Sequence, residues 1–481
     1  MHSTDTLSRG SDSRLRPLVI DLDGTLIYSD LLWEALLLFL KQNFWQAWRL
    51  PFWLLGGKAA FKARLAAAVQ LDPASLPYDD QLLKEIAAQR ALGRKVVLAT
   101  GSQRRFAEQI AEHLQLFDHV AATDDKVNLT GKHKAAHLNG LYGDRNYDYV
   151  GNSRVDIPVW HGSHGAYSVT HKPFRLPDGR STSQLGGHRP GAARYLLKGM
   201  RPRQWLKNML VFVPMLTGHA LAADTFVQSL VAFVAFSLCA SSAYLLNDAL
   251  DAGDDRRHPT KRNRPIAAGL LPLPLALMTS PLLALAAIGL CAYFDPLLLL
   301  TLSVYFVTTV CYSLYLKRLL MIDIVTLSLL YTLRILGGSA ATHITPSFWL
   351  LAFSFFIFLS LALLKRYSEL FNLHRQGKEK TSGRGYTTAD KVPVGTMGVA
   401  CGFLSVLIFM LYFNSEAVLK MYPQPYLLMG IVPLLVFWLG RLWLLAYRGL
   451  VNEDPVLYVS KDKVSLLVIG LCAAIAGVAS W

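Results

Sequence analysis

Asn247-Asp248-Ala249-Leu250-Asp251-Ala252-Gly253-Asp254-Asp255-Arg256-Arg257-His258-Pro259-Thr260-Lys261-Arg262-Asn263-Arg264-Pro265-Ile266-Ala267-Ala268-Gly269 is the stretch on which the reading of this chain turns. It follows an apolar run near 226–246, close to the ~20 residues that a membrane-spanning helix needs. Asp248, Asp251 and Asp255 are spaced three and then four apart, which predicts a single shared helical face. Three carboxylates on one face repel each other, so stability does not account for them. Cations relieve the repulsion, and oxygen ligands select Mg²⁺ bridging to a diphosphate. Arg257, Lys261 and Arg264 just beyond can bind the same phosphates and stabilise a departing pyrophosphate. The plain alternative is a charged loop at a membrane surface.

Working outward, nine apolar segments can be counted, near 207–223, 226–246, 270–291, 296–316, 321–342, 347–364, 394–414, 425–446 and 464–481. Pro214 and Gly218 interrupt the first. Over 481 residues, 53% are hydrophobic and 17% charged, and mean hydropathy is +0.32. That balance excludes a secreted mini-protein, a disordered regulator and an ordinary cytosolic enzyme. The length asks for two or more domains.

The net charge of +15 sits mainly in alternate loops: Arg256, Arg257, Lys261, Arg262 and Arg264; Lys317 and Arg318; and Lys365, Arg366, Arg375, Lys378, Lys380, Arg384 and Lys391. The opposite loops hold little that is basic apart from Lys420. This pattern points to topology and phosphate chemistry, with no nucleic acid as partner. By the positive-inside rule the motif loops face the cytoplasm of a bacterial-type inner membrane. The polar start MHSTDTLSRGSDSRLRP lacks the apolar core of a signal peptide, which places the front domain on the same side. Cys239, Cys291, Cys311, Cys401 and Cys472 lie in or at the ends of apolar segments without CxxC spacing, and read as packing or lipid-facing residues.

The front of the chain reads as a soluble α/β domain. Pro17-Leu18-Val19-Ile20-Asp21-Leu22-Asp23-Gly24-Thr25-Leu26 predicts a buried strand ending in two carboxylates and a glycine turn, or simply a strand and an Asp-Gly turn. In open α/β sheets, ligands bind at the carboxyl ends of strands. Carboxylates so close suit Mg²⁺ and can divide labour as nucleophile and acid/base. A second strand, Lys95–Ala99, runs into Thr100-Gly101-Ser102. Gly131-Lys132-His133-Lys134 and Gly151-Asn152-Ser153-Arg154-Val155-Asp156 follow. About 70 residues between the first two motifs have helical periodicity and many bulky side chains, including Trp33, Phe44, Trp45, Trp48, Phe52 and Trp53. They read either as a cap packed on a small core or as an interfacial segment carrying tryptophans into a bilayer, with Lys41, Arg49, Lys58, Lys62 and Arg64 suited to anionic headgroups. The Gly/Pro/Ser-rich stretch 171–194 reads as a tether that keeps two domains at high effective concentration.

Together the four front motifs resemble the haloacid dehalogenase-like (HAD) phosphatase superfamily. The resemblance implies a Rossmann-like domain over 14–170 with a helical cap at about 30–94. It implies Asp21 as nucleophile, Asp23 as acid/base, Thr100 and Lys134 holding the phosphoryl group, and Asp156 completing the Mg²⁺ shell. Asn152 stands where the fourth motif usually begins with an acid, so it would bring an uncharged amide oxygen to the metal. The NDxxDxxxD motif with RxxHPxKxxRPIAAG, and Arg201-Pro202-Arg203-Gln204-Trp205-Leu206-Lys207-Asn208 before the first apolar segment, resemble the UbiA prenyltransferase superfamily. That implies an all-α integral membrane bundle of about nine transmembrane helices over 195–481, with Asn247, Asp248, Asp251 and Asp255 binding diphosphate through Mg²⁺.

The second half departs from the commoner pattern of that superfamily. Where a second acidic motif is usual, this chain has Lys317, Arg318 and the single acid Asp323, and Lys365-Arg366 closes the sixth segment. Cations in place of acids favour a directly bound phosphate. The pattern is similar to the decaprenyl-phosphate phosphoribosyltransferase branch, which implies transfer of 5-phosphoribose from phosphoribosyl diphosphate to a polyprenyl phosphate, with Lys207, Lys317, Asp323, Lys365 and Arg366 in the substrate site. The HAD domain would then dephosphorylate the lipid-linked product. The alternative is transfer of an isoprenoid chain to an aromatic quinone precursor, with the HAD domain acting separately. Arg334, eleven residues beyond Asp323, lies about 16 Å deeper on nearly the same face, and is a functional candidate or a snorkelling side chain.

Overall fold

The computed structural model describes residues 16–124, 128–170, 172–185, 191–379, 384–413, 415, 418, 422–451 and 454–480. Arg14 at the expected domain start, residues 171 and 186–190 of the expected tether, Lys380, Lys420, Asn452, Glu453 and Trp481 lie outside the described residues. The chain forms two compact units. One is Met1–Met200 with Tyr244–Thr279, and the other is Arg201–Ala243 with Ser280–Trp481.

In the first unit, six strands form one parallel sheet in the order β3-β2-β1-β4-β5-β6. These are β1 (Leu18–Ile20), β2 (Val96–Gln103), β3 (His119–Thr123), β4 (Asp148–Gly151), β5 (Ala166–Ser168) and β6 (Ser183–Gln184). Leu18, Val19 and Ile20 are all fully buried, as expected of an uninterrupted apolar strand covered on both faces. The order reverses beside β1, so the loops after β1, β2 and β4 open into one crevice. The front motifs fall at the carboxyl ends of those strands, on the turns that follow them, or at the start of the helix Lys132–Tyr142. Buried Arg94 ties the sheet's other end, pairing with Asp148 and donating from Nε to the Arg16 carbonyl (2.8 Å).

Helices Leu31–Gln42, Arg49–Leu55 and Gly57–Ala68 build the cap. Leu31, Leu37, Phe39 and Leu65 are buried, and Trp53 packs against Phe39 with ring centroids 5.2 Å apart. Phe44, Trp45, Trp48, Phe52, Leu54 and Leu55 are all exposed within this unit, Trp45 to 89%. The bulky residues thus divide, one set filling the cap core and the other forming an outward apolar face.

The stretch read as a tether begins as packed chain. Leu176 and Leu185 are buried, β6 pairs with β5, and Arg180 donates to the carbonyls of Trp160, His161, Ser163 and His164. Those four contacts from one guanidinium order residues whose composition alone suggests coil.

Among the described residues, seven helices are long and apolar enough to cross a membrane: Ala223–Leu250, Leu273–Phe294, Pro296–Leu314, Ile322–Thr342, Phe348–Arg375, Thr388–Tyr412 and Pro425–Tyr447, with Lys463–Ala479 shorter. In the second unit these carry outward apolar rows such as Leu282 and Leu285, Leu300 and Val307, and Leu404 and Leu407, a surface suited to lipid. The segment near 207–223 is not one helix. Pro202–Phe212 is 3₁₀ and Val213–Thr217 is a short α-turn closed by Gly218. Pro214 lacks the N–H that a continuous helix would use there. All five cysteines are free thiols, two of them buried.

Candidate active sites

The first site lies at the carboxyl end of β1. Lys134 Nζ is 2.7 Å from Asp21 Oδ1, 3.0 Å from the Tyr149 hydroxyl and 3.9 Å from Asp156 Oδ1, with Lys134 and Asp21 both buried. Thr100 Oγ1 (3.3 Å) and Ser102 Oγ (2.5 Å) donate to Asp23 Oδ2, and the Leu31 N–H donates to its Oδ1 (2.8 Å). The structure therefore brings Asp21, Asp23, Thr100 and Lys134 together. Gly24, at φ +69°, makes this possible. A Cβ there would lie 2.1 Å from Asn152 Nδ2, the end of a side chain that can turn aside, so it is the left-handed φ that favours glycine where the β1 loop meets the β4 loop.

Burial pushes the Asp21 carboxyl up to about 7; the Lys134 ammonium pulls it down, and Asp156 and Asp23 push it further up. Burial likewise raises Asp23 to about 6, with Asp30 adding to the rise and Ser102 opposing it. Two carboxylates raised this way form an oxygen-only, charge-hungry pair, the donor chemistry of a hard divalent cation. Asp156 has a different place. Its Oδ2 accepts from the Asn152 and Ser153 N–H groups and from Ser153 Oγ, and its Oδ1 accepts from the Tyr149 hydroxyl (2.9 Å). In this conformation it braces the loop that carries Asn152.

The second set is the acidic loop, which belongs to the same unit. The long helix ends at Leu250, and Asp251 caps a new short helix, Ala252–Arg257. This break corrects the expectation of one shared face. Arg264 Nη1 bridges Asp248 (3.1 Å) and Asp255 (2.5 Å), whereas Asp251 (3.2 Å) and Asp254 (2.7 Å) meet Lys41 Nζ of the cap. Carboxylates at a helix C-terminus oppose its dipole, and these two cations offset that cost. Burial raises the Asp255 carboxyl, opposed by Arg264. Among the described residues, no three His, Cys, Asp or Glu side chains are disposed to hold an ion together. Arg257 pairs with Asp72, Arg256 with buried Glu34 (2.5 Å), and Lys261 sits half-buried in a 3₁₀ turn.

In the second unit, Lys207 (2.6 Å) and Lys365 (3.3 Å) converge on Asp454 Oδ2, in a small cavity also lined by Tyr331. Burial raises the Asp454 carboxyl, but Lys365 and Lys207 outweigh it and hold the group well below the usual carboxylate range. Asp323 and Arg366 are fully buried and bonded to each other (2.5 Å), with Tyr386 donating to Asp323 (2.7 Å) and Glu369 on Arg366. They form a pin between helices Ile322–Thr342 and Phe348–Arg375. Lys317 lies half-buried in the 3₁₀ turn Leu316–Arg318. Arg334 does not snorkel. Its guanidinium donates to Asn208 Oδ1 (2.8 Å), the Leu330 carbonyl and the Tyr305 hydroxyl (2.9 Å), and stacks on Tyr305 and Tyr331.

Sequence reading passed over Ser102, Tyr149, Lys62, Lys41 and Asp454 as site residues. Lys62 of the cap donates to the Gly101 carbonyl (2.6 Å) and to Asn128 (3.1 Å). Asp454 precedes a proline and caps Pro455–Val459, a local role that hides its longer-range one. Ser102, two residues after Thr100 in a strand, shares its side, and that spacing was the available signal.

Residues 211–459 match the UbiA prenyltransferase family, and residues 18–161 match haloacid dehalogenase-like hydrolase. The chain is 33% identical over 474 residues to y4nM of Sinorhizobium fredii, covering 96% of this chain and 90% of that one. It is 37% identical over 274 residues to nodulation protein NoeC of Azorhizobium caulinodans, covering 56% and 88%. It is 40% identical over 200 residues to decaprenyl-phosphate phosphoribosyltransferase of Mycolicibacterium smegmatis, covering 40% and 63%. With its apolar helices and its matching domains, this chain belongs to the UbiA prenyltransferase family, as a multi-pass membrane enzyme with an N-terminal HAD-like hydrolase domain.

Proposed function

We propose that the enzyme transfers 5-phosphoribose from phosphoribosyl diphosphate to a polyprenyl phosphate, and that its hydrolase domain removes the 5-phosphate from the lipid-linked product. The observation that carries the transferase half is the convergence of Lys207 and Lys365 in one cavity, two cations sharing a single carboxylate. Such a cluster suits a phosphate monoanion or dianion. The similarity to decaprenyl-phosphate phosphoribosyltransferase supports the same donor and acceptor. In the transfer, a lipid phosphate oxygen bonds to ribose C1 as the bond from C1 to the diphosphate breaks, and pyrophosphate departs. Arg257, Lys261 and Arg264 are the candidate contacts to that leaving group.

By donor type alone Mg²⁺ suits the oxygens of both sites, which cations hold apart in this conformation: Asp21, Asp23 and Asn152, with Asp156 in support, in the hydrolase; and Asn247, Asp248, Asp251 and Asp255 in the transferase. Bound there, it would neutralise phosphate charge. In the transferase, Arg264 and Lys41 must release the acids they hold. In the hydrolase, an Asp21 oxygen attacks phosphorus and the ester P–O bond breaks. Asp23 gives its proton to the departing oxygen. Water then attacks the phospho-aspartate, Asp23 takes a proton, and Asp21 and inorganic phosphate are regenerated. Lys134 holds Asp21 in place, and Thr100 and Ser102 hold Asp23.

In this reading residues 14–170 are the hydrolase with its cap at about 30–94, 171–194 the connection and 195–481 the transferase. The broken segment near 207–223 and the helix Lys463–Ala479 complete about nine passes. The motif loops and hydrolase face the cytoplasm of a bacterial-type inner membrane. The exposed Phe44, Trp45, Trp48 and Phe52 favour the interfacial reading of the cap, which suits a lipid-borne substrate.

Radiolabelled phosphoribosyl diphosphate tests the proposal. Label in the lipid fraction is expected, and in an Asp21→Asn variant it should accumulate in a phosphorylated species. Label confined to the aqueous phase, with an isoprenoid chain moved to an aromatic acceptor, would select the other reading.

A further inference from the structure

Beside the hydrolase site lies a cavity of about 370 Å³. One wall is the hydrolase itself: Asp23, Ser29, Asp30 and Asn152. The opposite wall is the turn that follows the acidic loop, above all Leu270 and Leu273. The polar wall includes the candidate acid/base, and the other wall is apolar. Gly269 sets how near the turn comes. Its φ is +70°, and a Cβ there would stand 2.2 Å from Tyr28 Cβ, so the RPIAAG motif ends in glycine because the turn lies directly on the hydrolase. Leu273 opens the helix Leu273–Phe294, itself a candidate membrane span, with Pro272 and Pro274 at its start. The apolar wall is thus the first turn of a membrane helix.

We propose that this cavity is the hydrolase's substrate pocket, built for an amphipathic phosphomonoester. The phosphoryl end lies toward Asp23, the polar ring or linker against Ser29, Asp30 and Asn152, and the apolar chain against Leu270 and Leu273, where it leaves along the helix toward the bilayer. A volume of this size accommodates a sugar phosphate and several methylenes. The turn on the transferase side of the chain therefore supplies the hydrolase's specificity. The inference rests on the phosphatase reading and adds to it the pocket and the turn, Gly269 to Pro274, that select a substrate bearing an apolar chain.

The test uses the purified full-length protein with two probes, ribose 5-phosphate and octyl ribofuranoside 5-phosphate. Both carry the same scissile ester, and only the second has a chain. The expected kcat/KM ratio, octyl over free, is about tenfold or more, the range that a few pocket-bound methylenes give. Leu270→Asp should collapse the ratio toward one, and Leu270→Met should keep it. A wild-type ratio near one, or a Leu270→Asp loss in proportion for both probes, overturns the pocket while leaving the phosphatase reading standing. Hydrolysis of neither probe above an Asp21→Asn control overturns both.

Discussion

Asp454→Asn separates a phosphate site from a merely structural cluster. In the wild type, Lys207 and Lys365 both bond Asp454 Oδ2, so their ammonium groups lie within about 6 Å of each other. Asparagine keeps the shape and removes the charge. At an effective dielectric of about 20, two like charges about 6 Å apart repel by roughly 3 kcal/mol. Partial exposure of Lys365 trims that figure. The variant should unfold at a temperature several degrees lower in detergent, followed by intrinsic fluorescence. A phosphate between the lysines replaces the missing charge, so farnesyl phosphate should raise the midpoint more in Asp454→Asn than in the wild type. Farnesol, with the same chain and no charge, should not show that difference. An unchanged midpoint, or equal rescue by farnesol, would refute the electrostatic reasoning.

Three further outcomes follow from the geometry. Arg94→Met leaves Asp148 buried without its ionic partner, a loss of about 3–5 kcal/mol, so limited proteolysis should cut the N-terminal unit at a lower temperature; wild-type resistance would contradict this. The Asp462 carboxyl, drawn down from 3.8 to about 2 chiefly by its hydrogen bond from Arg441, lends stability that is complete above pH 3.8 and lost as pH falls toward 2. Asp462→Asn should therefore melt below wild type at neutral pH, and the two should converge near pH 2; a constant gap would remove the linkage. In nanodiscs of brominated lipid, the emission lost in a Trp45→Phe, Trp48→Phe variant should be the quenched part of the wild-type signal, and unquenched difference emission would place those rings in water.

What could be read in advance depended on how local the determinants are. Asp21, Asp23, Thr100 and Lys134 sit on short motifs at strand and helix ends, and a parallel sheet necessarily gathers such ends in one crevice. The spans were legible because each is a continuous apolar run. Periodicity could not say which bulky cap residues face inward, since Phe39 and Trp45 are equally apolar and only packing divides them. The acidic loop stands out in the sequence as a run of carboxylates beside cations, but its helical phase does not. Nothing in the spacing of Asp248, Asp251 and Asp255 announces that the helix stops at Leu250.

The longer-range pairs escape for a different reason. Lys41 is 210 residues from Asp251, and Lys207 is 247 from Asp454; a lone lysine on a cap helix or before an apolar segment looks like any solvated charge. Lys41 reaches both the carbonyl of Leu250, where a membrane helix ends, and the acids just after it. Glu34, about two turns earlier on the same cap helix, holds Arg256 of the same loop. The single helix Leu31–Gln42 thus meets the acidic loop at Glu34 and Lys41 and meets Asp23 at the Leu31 N–H, contacts that no local motif could announce.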